Sequence, residues 1–232
     1  MDYSILIYAG IFVAAFLVVL PIYLRSESRI EDGPKSFQKA ALLKITTSGI
    51  CALCALLGFF IWGIPTELVR AFIPLALICS VVGDYFLQYI ILDEKKFTIG
   101  IVFFALTQVF LNVFLCLHHG ISWPEFVITA VLAVFVWVLV TKLNWPLGKA
   151  KVPLIFYVAL LLLMASKSIL PLFSNTGITL PIALMAAGAL LFVLSDSLLG
   201  IKYFSGREQT NSKNYLITYF CAILLIALSS LF

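Results

Sequence analysis

The sequence predicts an all-α integral membrane protein: one bundle of eight transmembrane helices, with both termini on the non-cytosolic side. Three observations lead there. The first is composition. Of 232 residues, 63% are hydrophobic and 11% charged, where a soluble domain carries about 25% charged residues. A single soluble core cannot hide that much apolar surface, so the solvent around this chain is lipid. The second is the spacing of apolar runs, each close to the roughly 20 residues that cross a bilayer. The third is the placement of the basic residues between those runs. They sit in short loops, so the net charge of +4 is no signal for nucleic acid.

The runs are 3–24, 40–62, 69–91, 97–117, 122–141, 152–172, 178–200 and 213–231. The first is not a cleaved leader by pattern: Asp2 precedes it, no positive charge does, and Arg25 and Arg29 follow it. The longest polar loop, "RSESRIEDGPKSFQK", separates the first two runs. Nothing in the pattern marks a linker or a soluble module, so residues 1–232 read as a single polytopic domain. Twelve of the fifteen basic residues fall in alternate loops: Arg25 to Lys39, Lys95 and Lys96, Lys142 to Lys151, and Lys202 to Lys213. Arg70 alone occupies the other face. The positive-inside rule puts the basic loops in the cytosol. The expected host membrane is a bacterial inner membrane or the eukaryotic endoplasmic reticulum. A weak echo links "PLALICSVVGD" in the third run to "PIALMAAGALLFVLSD" in the seventh, as a four-plus-four repeat would.

Asp84 and Asp196 lie well inside spans. A carboxylate at the bilayer centre costs about 2.5–3.5 kcal/mol on insertion scales, so such groups face a bundle interior or a watery cavity. Counted from the helix ends, both lie roughly 8–12 Å below the basic face. Lys44 lies at a similar depth in the second run, where it either joins the carboxylates or snorkels to the surface. Lys167 sits near the opposite face and is expected to snorkel outward.

Polar neighbours suggest a cavity. Ser80, Asp84 and Gln88 share one helix face at i, i+4, i+8, as do Lys44, Thr47, Ser48 and Cys51 on theirs. Ser195 precedes Asp196, and Tyr157 and Tyr219 lie at comparable depth. Gln108 and Asn112 form another i, i+4 pair, read as hydrogen-bonding glue between helices more than as a site.

Metal and cofactor sites are not expected. His118 and His119 are adjacent, so their side chains point about 100° apart and suit no single ion. The C-x-x-C of Cys51 and Cys54 is mid-helix without a second ligand pair. No P-loop, GxSxG or HExxH occurs. Trp62, Trp123, Trp137 and Trp145 mostly fall near helix ends, as an aromatic belt does.

"SVVGDYFL", "FTIGIVFFALTQ", "KVPLIFYVALLLLM", "AGALLFVLSDSLLGIKYF" and "YLITYFCAILLIALSS" together resemble the YhhN-type membrane proteins, the lysoplasmalogenase family. They cover most of residues 75–230, and the two Asp motifs in order are the specific part. The resemblance implies an eight-helix hydrolase. It would cleave the vinyl-ether bond of a lysoplasmalogen, giving a fatty aldehyde and a glycerophospho-base without a cofactor. Its partners would be the lysophospholipid and bilayer lipid. Asp84 and Asp196 fall on the family's acidic positions and Lys44 on its helix-2 basic position. The sequence also departs from the family. Gln108 stands where His is usual, Leu111 where Tyr is usual, and Ile223 where Gln is usual. Gln does not transfer protons as His does. Either that His only positions the lipid, or this chain is inactive or takes another substrate.

Vinyl-ether hydrolysis needs an acid to protonate the alkene carbon and a base to activate water. Two carboxyl groups held in different protonation states do this for oxocarbenium chemistry. One Asp is the expected acid. The other, which Lys44 would hold ionised, is the expected base. Lys95, Lys96, Lys151, Lys202 and Arg207 form a basic rim able to hold a lipid phosphate, or reflect the positive-inside rule alone. The competing readings are a proton-coupled transporter of lipids or small molecules, whose helices would break at mid-membrane, and a catalytically inactive lipid-binding relative.

Overall fold

The computed structural model describes residues 3–29, 33–63, 68–89, 93–143, 151–173, 177–204 and 213–232. Among them there are eight α-helices and no strand: α1 Tyr3–Glu27, α2 Pro34–Gly58, α3 Phe72–Leu87, α4 Glu94–His119, α5 Trp123–Lys142, α6 Lys151–Ile169, α7 Leu180–Phe204 and α8 Asn214–Ser229. A π-helical turn, Phe59–Gly63, extends α2. Short 3₁₀ segments lead into α3 (Leu68–Ala71) and out of α6 (Leu170–Phe173). Seven helices are long and apolar enough to cross a bilayer. All eight expected runs are therefore helical, and the chain is a multi-pass membrane protein by length and composition.

The ends differ from the apolar runs where capping extends a helix into polar sequence. α2 starts at Pro34, since proline lacks an N–H that the first turn would leave unused anyway. α4 starts at Glu94 because the Asp93 carboxylate accepts from the backbone N–H groups of Lys95 (3.0 Å) and Lys96 (3.2 Å). α8 is shorter than expected at 16 residues, about 24 Å at 1.5 Å per residue. It packs against α7, α2, α3 and α1 and is largely buried. A helix wrapped by protein need not match the thickness of the surrounding lipid.

α7 and α8 meet closely at Gly188. A Cβ there would stand 2.8 Å from Ile226 Cγ1 and 3.0 Å from the Ala222 carbonyl oxygen. Gly188→Ala is therefore expected to destabilise the bundle by about 1–3 kcal/mol through overpacking. A lowered thermal-unfolding midpoint in detergent would register it. α5 is the outermost helix. It packs on α6, and its only buried residues, Glu125 and Thr129, lie near its start.

Candidate active site

The polar faces of α2, α3, α6, α7 and α8 converge at one end of the bundle. On α2, the face bearing Lys44, Thr47, Ser48 and Cys51 is buried along its length. Lys44 Nζ lies 3.6 Å from Asp84 Oδ1 on α3, so Lys44 does not snorkel outward. Asp84 Oδ2 accepts a 2.8 Å hydrogen bond from the Tyr219 hydroxyl on α8. Asp196 on α7 has a matching partner: the Tyr157 hydroxyl on α6 donates to its Oδ2. Among the described residues no cation pairs with Asp196. Each carboxyl thus has one phenol, but only Asp84 also has an ammonium.

Aromatic packing fixes these two pairs side by side. The Phe104 ring lies 6.4 Å from Tyr157 and 5.8 Å from Tyr219, and Phe192 lies 5.6 Å from Tyr219. α3 approaches Phe104 closely because residue 83 is glycine; a Cβ there would stand 2.9 Å from the ring.

A cavity of about 370 Å³ opens between the pairs, within the range of small-molecule sites. Lys44, Asp84, Tyr157, Ser195, Asp196 and Tyr219 all line it, and the rest of its wall is almost wholly hydrocarbon. The lining residues come from the start of α4, the end of α5, the start of α6, the end of α7 and the start of α8. All of these lie at the basic-loop end. Asp84 is shut into the protein, whereas Asp196 keeps part of its surface open because the cavity lies against it.

The remaining expected residues are placed elsewhere. Ser80 is buried behind Asp84 and bonds the Leu77 carbonyl at 2.7 Å. Gln88 leaves the group: its amide donates to Glu27 Oε2 on α1 at 3.3 Å. Asn112 is glue, its Nδ2 bonding the carbonyls of Gln108 (2.8 Å) and Leu160 (2.9 Å) and tying α4 to α6. Gln108 is fully buried behind the cavity wall beside Tyr157, with neither amide atom in hydrogen-bond geometry. Ser195 lines the cavity while its hydroxyl bonds the Tyr215 carbonyl at 2.9 Å.

Of the described rim residues, Lys202 stands beside the cavity wall, its Nζ 4.6 Å from the ring centre of Tyr215, a lining residue. Lys96 lies over Tyr89. Lys149, Arg207, Trp145 and the Lys151 side chain lie outside the described residues. His118 and His119 are exposed, and no cluster able to hold a metal occurs among the described residues.

One expectation is overturned. Lys167 does not snorkel: it is fully buried, and its Nζ donates to the Gly120 carbonyl (2.8 Å) and to Glu125 Oε2. A carboxylate on α5 is within reach because the α4–α5 turn folds against α6. Only the end-on position of Glu125 in its run hinted at this. Removing one partner of a buried pair leaves the other charge uncompensated. Glu125→Gln is accordingly expected to lose about 3–5 kcal/mol of stability, read as a fall in unfolding midpoint.

Curated proteins and solved structures return no match to the chain. The sequence pattern of the YhhN family matches residues 40–230, which span α3 to α8 and most of α2 and hold both Asp–Tyr pairs, and the chain belongs to that family.

Proposed function

We propose that the chain is a membrane hydrolase that cleaves the vinyl-ether bond of a lysoplasmalogen. The observation that carries this is the pair of phenol-bound carboxyls on one apolar cavity, of which only one has an ammonium partner. A buried charge is tolerated when paired and costly when alone. Asp84, beside Lys44, is accordingly the carboxylate and the base. Asp196, with only a phenol partner, is the carboxylic acid. The family resemblance extends the reading to the substrate.

The chemistry then balances. The Asp196 proton forms a C–H bond at the outer alkene carbon, and the π electrons leave an oxocarbenium ion. Water adds to that ion while Asp84 takes its proton. The hemiacetal then breaks its bond to the glycerol oxygen, which takes the proton back from Asp84. The new carbonyl releases its hydroxyl proton to Asp196. Both acids return to their starting states, and the products are a fatty aldehyde and a glycerophospho-base. Acid and base contributions of this kind are worth about 10²–10⁴-fold each.

The cavity wall suits an alkenyl chain, and Lys202 at the mouth suits a phosphate. We place the basic-loop end, and so the cavity mouth, in the cytosol on the asymmetry of basic residues. Gln108 lies behind the wall, so no step passes through it. A gated carrier has less support, because side chains fill the bundle above the carboxyls: Leu111, Leu115, Met164 and Ile223 are fully buried.

The test is aldehyde release by the purified protein from a lysoplasmalogen and from its saturated alkyl-ether analogue. Release from the first alone supports the reading. Release from neither, by protein that is folded, refutes it.

A further inference from the structure

We propose that the cavity is reached sideways, through a gap between α5 and α7, by the hydrocarbon chain of a single-chain bilayer lipid. The inference rests on the hydrolase reading for its substrate, but on the packing of α5 for its route. Val136, Leu139 and Val140 of α5, Leu143 just past its end, and Val193, Ser197 and Ile201 of α7 line the same cavity. Yet α5 packs on α6 and forms no comparable interface with α7.

The wall there is incomplete. Leu139 and Leu143 line the cavity with 43% and 53% of their surface still exposed, and Ile201 with 37%. Ser197 is exposed as well. In a spanning bundle, what borders these helices is lipid tails, not water. Whatever crosses the gap must therefore be at home in hydrocarbon. The cavity is small for a ligand pocket, so it accommodates one chain and not the two of an ordinary phospholipid. α5 is held at the far end, where the Lys167–Glu125 bond joins it to α6, and is unsupported on its α7 side beside the carboxyls. A chain sliding in here leaves its head group at the level of Lys202.

The probe is a saturated ether-linked lysophospholipid with a diazirine at its chain end, incorporated into phosphatidylcholine vesicles with the protein. Cross-linked residues are mapped by mass spectrometry. The expected result is labelling within 136–143 and 193–201 and of the interior residue Phe104, all displaced by unlabelled lysolipid. Leu139→Trp and Ser197→Trp, made singly at exposed positions the fold tolerates, should each lower Phe104 labelling by about tenfold, the factor that losing burial of about two methylenes carries. Labelling of outward-facing Leu17 and Val18 on α1 should not change. Even labelling around the bundle without capture at Phe104, or capture unaffected by either tryptophan, overturns the proposal. The probe has no vinyl ether and needs no turnover. Interior capture without aldehyde release from a lysoplasmalogen would therefore uphold the portal and reject the hydrolase.

Discussion

Asp196→Asn is expected to lower aldehyde release by about 10²–10⁴-fold, the range for loss of a positioned general acid. Protonation of the alkene carbon is the step that breaks the conjugation of a vinyl ether, and Asp196 is the cavity carboxyl with no cation beside it among the described residues. The amide of Asn has nearly the same shape and still accepts the Tyr157 hydrogen bond through its oxygen, so folding and lipid binding should survive. The loss should fall on kcat, with KM little changed, because the missing interaction belongs to the transition state. Turnover by Asp196→Asn within a few-fold of the parent would remove this carboxyl from the chemistry.

The second large effect concerns the Lys44–Asp84 pair, separated by 3.6 Å and buried at the cavity wall. Lys44→Met leaves a carboxylate alone in hydrocarbon, and Asp84→Asn leaves an ammonium alone. Each single change is expected to destabilise by about 3–5 kcal/mol. The double variant, Lys44→Met with Asp84→Asn, should be more stable than either single one, since no charge is then stranded. All three should fail to activate water. Additive losses in the double variant would mean that the two side chains do not act as a pair, and the assignment of Asp84 as the base would fall with it.

The helices were legible because lipid imposes a length on any crossing segment, and seven of the eight helices meet that length. The depth of Asp84 and Asp196 was legible for the same reason: rise per residue converts position into height. Neighbourhood was harder. Lys44 gains its partner because α2 lies against α3 and α8, and no residue of the second run announces which helix it will touch. Gln88 shares a helical face with Asp84, yet sits one turn closer to the loop, where Glu27 of α1 captures it. The Lys167–Glu125 bond was missed because each residue, taken alone, lies near enough to a helix end to reach water. Only the fold of the α4–α5 turn brings them together. Phe104, which packs against the phenols of both acid–phenol pairs, carries no polar atom, and periodicity marks it only as another apolar residue.

The tight packing of Leu111, Leu115, Met164 and Ile223 above the carboxyls has a bioenergetic side. A hydrolase working inside a membrane must let water reach partway through it, and a continuous water thread would let protons run down their gradient. On the hydrolase reading proposed above, these buried side chains would act as an insulator, letting water be consumed within the bilayer without discharging the membrane around it.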